Sequence, residues 1–221
     1  MVYRKFGTCF FERYAQLTLE TLLGSEYSDL VNRDRPDLQT PDKRLGIEVT
    51  RAMEPNKTNA NQLLKELAGM HPAEENKSDL QSIVESGYAY GLPGLNYTGY
   101  LEQEYWSLAQ PLQRILTSKI EKVAKGFYGK FNSFGLFVFC RDMLDLTQVE
   151  AAVTYTLQLQ NNLDLRFDTL WLSQTDTLYI CRLTDNLFYE GLDSRIQICP
   201  VPDSLRREFF FKSLYKHDTT Q

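Results

Sequence analysis

An α/β fold is predicted for this 221-residue chain by three features of its sequence. Apolar residues recur at helical spacing over 6–23 and again over 112–127. Between these lies a short alternating run, Leu45 to Val49, and after them an almost unbroken apolar run, Phe134 to Cys140. Alternation marks a strand with two unlike faces, whereas a continuous run marks a strand buried on both sides.

The first element is a helix from about Phe6 to Leu23, stopped by Gly24. On its wheel Glu12 falls in line with Ala15, Leu19 and Leu23, while Glu20 lies beside Gln16 and Arg13. Glu12 is therefore the inward acid and Glu20 the solvated one. One or two short strands follow within Tyr27 to Thr40, with Pro36 confined to an edge or a strand start because it has no N–H to donate. A turn at Thr40-Pro41-Asp42-Lys43 leads into a strand over Arg44 to Arg51.

Farther along, a helix is expected over Ala60 to Ala68 and an irregular insertion over Gly69 to Asn96, with a short helix at Asp79 to Glu85. The tyrosines 88, 90, 97 and 100 alternate with glycines there, in a pattern suited either to stacking on bases or to covering the core. A long helix over Tyr100 to Phe127, kinked or restarted at Pro111, carries the stripe Leu112, Leu116, Ile120, Val123 and Phe127, with Lys119 close to it and Lys122 at its margin. The strand Phe134 to Cys140 is followed by a helix over Leu146 to Gln160. Strands are expected at Phe167 to Leu172 and Thr177 to Leu183, and a last extended piece over Arg195 to Cys199.

Composition narrows the function classes. Hydrophobic residues at 43% and charged residues at 24% are ordinary globular values, and a single domain over 1–221 is expected. No apolar run reaches the roughly 18 residues that span a bilayer. Residues 1–11 lack the apolar core of a signal peptide, so a cytoplasmic location and no membrane partner are expected. Cys9, Cys140, Cys181 and Cys199 are far apart and read as reduced core residues. With only His71 and His217, neither a zinc cluster nor a histidine-activated nucleophile is indicated, and no phosphate-binding glycine loop occurs. The net charge of −5 weighs against a nucleic-acid binder, although Lys119, Lys122, Lys125 and Lys130 concentrate positive charge in one stretch.

The chemistry is concentrated at Arg35-Pro36-Asp37-Leu38 and, about ten residues on, Gly46-Ile47-Glu48-Val49-Thr50. Alternation places Leu45, Ile47 and Val49 on one face and Gly46, Glu48 and Thr50 on the other. Buried carboxylates close together repel each other and resist leaving water, so their natural stabiliser is a divalent cation. More ordinary roles remain open: Asp37 as a turn residue, Glu48 in an ion pair with Arg44, Arg51 or Lys119, and Glu12 as a solvated helix acid.

At Pro36-Asp37 and Glu48-Val49-Thr50, and in its element order from about Phe6 to Cys140, the chain resembles the PD-(D/E)XK nuclease-like superfamily. The resemblance implies a restriction endonuclease-like core, a central mixed β-sheet flanked by helices, with 141–216 as an extension of helix and strands. It implies a metal-dependent phosphodiester hydrolase, with DNA the expected substrate and a homodimer left open. Asp37, Glu48, the carbonyl of Val49 and Glu12 would hold Mg2+ or Mn2+, an oxygen-only set suited to a hard cation. Thr50 departs from the pattern, standing where the family places its lysine, whose charge orients the attacking water. Lys119 is the expected replacement, with Lys122 second; Ile115, Lys119, Lys122 and Tyr128 resemble a helix-to-strand segment of several branches. The alternative implied by Thr50 and the acidic charge is an impaired nuclease-like fold acting as a binding or assembly module.

Overall fold

The computed structural model describes residues 6–52, 110–140, 143–184 and 195–214. The helices expected over 60–68 and 79–85, the tyrosine-glycine segment and the first part of the long helix lie outside them. The described elements are α1 (Phe6–Leu23), β1 (Val31–Asn32), β2 (Leu38–Gln39), β3 (Leu45–Ala52), α2 (Gln110–Ala124), β4 (Ser133–Cys140), α3 (Leu146–Gln160), β5 (Thr169–Ser173), β6 (Thr177–Arg182), β7 (Ile196–Pro200) and α4 (Asp203–Leu214). The strands form one sheet in the order β1-β2-β3-β4-β5-β6-β7, parallel at β3/β4 and β4/β5 and antiparallel elsewhere. This is the α/β architecture expected, a mixed central sheet with helices on both faces. No helix among the described residues is long and apolar enough to cross a membrane.

Alternation along β3 sorts the two layers. Leu45, Ile47 and Val49 join Phe10, Tyr14, Leu19, Phe137, Trp171, Phe209 and Phe210 in a core beneath α1 and α4. The opposite face packs Leu112, Leu116, Ile120 and Val123 of α2 and Val149, Ala152 and Val153 of α3 over Leu136, Val138, Leu170 and Leu172. β4 is buried on both faces, as its apolar run requires. Gly135 is needed within it, since a Cβ there would lie 2.2 Å from the Trp171 ring.

Local chemistry sets the element ends. Gly24, at φ 111°, takes a positive-φ extended conformation open to glycine, and α1 stops before it. Asp145 and Gln148 form a reciprocal capping box that starts α3. Cys140 and Cys181 are buried.

Two sequence expectations are corrected. α2 ends at Ala124, because Gly126 turns the chain at φ 67°, so Phe127 leaves the stripe and stands 41% exposed. The segment after Pro202, unassigned from sequence, is the helix α4; its Phe209 and Phe210 meet Tyr14 and Phe10 of α1 at ring separations of 5.6 and 5.5 Å.

Candidate functional site

The site lies where β2 begins and the second half of β3 loses its neighbour. The β2/β3 register pairs Leu38 with Ile47 and Gln39 with Gly46, and carried past the end of β2 it would set Asp37 against Glu48 and Pro36 against Val49. Pro36 has no N–H to offer the Val49 carbonyl. The Val49 N–H, on the same edge of the strand, donates instead to Asp37 Oδ2 at 2.8 Å. The loop that carries Asp37 is braced from both ends. Gln39 Nε2 donates to the Pro36 carbonyl at 2.8 Å, and the Arg33 N–H donates to the Asp37 carbonyl at 2.9 Å.

Glu48 faces α2, on the side that alternation predicts, and is 6% exposed. Its Oε1 accepts from Lys119 Nζ at 2.6 Å, a contact spanning 71 residues of sequence. Both side chains are largely withdrawn from water, at 8% and 13% exposure. Lys119 therefore reaches the acid beside Thr50 from the helix across the sheet face. Thr50 itself follows Glu48 on β3 and brings no cation.

Glu12 approaches from α1, the opposite layer, and its carboxylate accepts from Asn32 Nδ2 of β1. It is buried, as its wheel position indicates. Burial pushes its pKa up, and the Glu48 charge adds to the effect against the Asn32 hydrogen bond. Asp37 shows the crowding most clearly. Burial first, then the Glu48 and Glu12 charges, raise it from 3.8 to about 7, against the opposing pull of the Val49 N–H and Lys119. Tyr128 closes the α2 side, its buried hydroxyl against Glu48 and without a well-formed hydrogen bond among the described residues. Burial and the Glu48 charge push its pKa up.

The predicted residues Glu12, Asp37, Glu48, Val49 and Lys119 thus belong to one electrostatic neighbourhood. Among the described residues, however, no three or more of the acids, histidines and cysteines converge as a ready-made ion cage. Glu12 is occupied by Asn32, which leaves Asp37 and Glu48 as the principal pair. Each has committed one oxygen, Asp37 to Val49 and Glu48 to Lys119. The remaining oxygen of each, with the Val49 carbonyl, is a hard donor set. Oxygen donors of this kind are those that Mg2+ takes, one or two carboxylates with several of its waters kept.

Sequence reasoning gave Asn32, Arg35 and Phe127 no role at the site. Arg35 and Lys122 lie over the Phe127 ring at 4.6 and 5.2 Å. Nothing in the local pattern marks this group, because its members meet only through the turn after α2 and the loop before β2. No family model, curated protein or solved structure matches this chain.

Proposed function

We propose that the chain is a metal-dependent nuclease that hydrolyses phosphodiester bonds, with DNA as substrate. The carrying observation is the ion pair between Lys119 and Glu48 at 2.6 Å, beside an Asp37 that has no cationic hydrogen-bond partner among the described residues. A structural ion pair accounts for Glu48 and Lys119 alone. It leaves unexplained why a second and a third carboxylate are buried against the first, at a cost in charge repulsion.

Asp37, Glu48 and the Val49 carbonyl would hold Mg2+ or Mn2+, with Glu12 behind them. When bound, the ion supplies the positive charge that polarises a phosphoryl oxygen and acidifies water. The chain's own groups perform the rest. Lys119, anchored on Glu48, presents N–H donors that orient the attacking water and offset charge building on the phosphoryl oxygens. Arg35 and Lys122 hold the flanking phosphates, which helps a chain of net charge −5 to retain a polyanion. The tight packing of Tyr128 and α2 behind Glu48 keeps bulk water from that side.

The test is cleavage of labelled DNA with Mg2+ or Mn2+ by the parent, Asp37→Asn and Glu48→Gln, with folding followed by circular dichroism. Both variants are expected to stay folded and to lose cleavage by roughly a thousand-fold, on the order of one essential electrostatic group. Parent-like cutting by both, or no cutting by the parent, overturns the proposal. The second reading, a binding module that has lost its chemistry, is favoured by Thr50 and by the net charge of −5. Under that reading calorimetry finds no carboxylate-dependent uptake of Mg2+.

A further inference from the structure

We propose that Phe127, with Arg35 and Lys122, seats an unpaired nucleobase beside the scissile phosphate, so that the preferred substrate is a single strand or a frayed end. This rests on the nuclease reading and adds the form of nucleic acid that the site accepts. Phe127 is 41% exposed and follows the end of α2 by three residues. Its ring contacts that of Tyr128 edge to face at 5.3 Å, and Tyr128 in turn abuts Glu48. Arg35 precedes Asp37 by two residues, and Lys122 follows Lys119 by one turn of α2. The aromatic platform is therefore held by the same two segments that carry Asp37 and Lys119.

An exposed Phe with no such neighbours would be unremarkable. Here two cations rest on its ring, one at 4.6 Å and one at 5.2 Å. Arg35 also meets Asp34 at 3.4 Å in a solvent-exposed pair, while Lys122 has no carboxylate partner among the described residues. Exposed cation–π contacts are weaker than the stacking of a base on an aromatic ring. An arriving base displaces a cation from the ring face, and the released ammonium or guanidinium meets the adjacent phosphate. A paired base cannot do this without leaving its own stack, so duplex is disfavoured.

The experiment measures fluorescence anisotropy of a labelled single-stranded DNA oligonucleotide and of its blunt duplex, in EDTA so that nothing is cut. The parent is expected to bind the single strand more tightly, and Phe127→Leu to lose about ten-fold or more, the effect of one stacked base. Phe127→Trp is expected to keep the affinity, with the new indole emission quenched when the oligonucleotide binds. Arg35→Gln and Lys122→Gln are expected to weaken binding to all sequences alike and to reduce the salt dependence by about one ion each. Equal single-strand binding by Phe127→Leu and the parent, or a parent preference for duplex, overturns the inference while leaving the nuclease reading intact. Because no metal is present, failed cleavage cannot be mistaken for failed binding. A parent that binds neither form overturns the inference, and the cleavage assay with metal decides the nuclease reading separately.

Discussion

Replacing Asp37 with Asn is expected to stabilise the metal-free protein, and by more as pH rises. Asp37 is raised from 3.8 to about 7, chiefly by burial and by the Glu48 charge. The folded state therefore holds a proton that the unfolded chain has released, and between about pH 4 and 7 stability falls as pH increases. Above pH 7 the ionised carboxylate is present in both states and its full cost is felt; below pH 4 that cost is gone. A shift of about three units corresponds to about 4 kcal/mol at pH 8, at 1.36 kcal/mol per unit, and to less than 2 kcal/mol at pH 5. Asp37 is partly solvated and shares its field with two other acids, so about half of each figure is the expected yield. Asn retains an oxygen for the Val49 N–H, so the hydrogen bond that positions the loop survives. Thermal melts in EDTA should then place Asp37→Asn about 4–8 °C above the parent at pH 8, by the scaling for a chain of this size, and only slightly above it at pH 5. A variant less stable than the parent at pH 8, or a gap that does not change with pH, would refute the claim that Asp37 sits in a field of uncompensated negative charge.

Lys119→Met strands the Glu48 charge in a nearly dry site, and urea unfolding should show a loss of about 3–5 kcal/mol. Adding Glu48→Gln should recover most of it, and a single variant within 1 kcal/mol of the parent would show that the pair is not a buried one. Gly135→Ala drives a methyl group into the Trp171 ring and should cost about 1–3 kcal/mol in the same assay. Gly129→Ala, where the nearest side-chain atom is 3.8 Å away, is the matched control and should be close to neutral.

Residues that face each other through local periodicity were legible. The inward turn of Glu12, the shared face of Glu48 and Thr50 and the burial of β4 follow from helical and strand repeats, and the structure shows each of them. The α4 helix was hidden because Pro200 and Pro202 suggest extended chain. Its helical stripe becomes apparent only once Phe209 and Phe210 have α1 to pack against. Phe127 was misplaced for the opposite reason. Apolar spacing carried it onto the α2 stripe, but Gly126 ends the helix by backbone conformation, which hydrophobicity does not record.

By itself the sequence determined the α/β class, the order of most described elements and the face of β3 that carries Glu48, because these depend on periods of two and 3.6 residues. Only the tertiary structure decided that Lys119, 71 residues from Glu48, ends 2.6 Å from it, and that Arg35 and Lys122 meet over Phe127. Such contacts depend on how α2 lies across the sheet and where its last turn stops. They are set by the packing of whole faces, which no short window of residues contains.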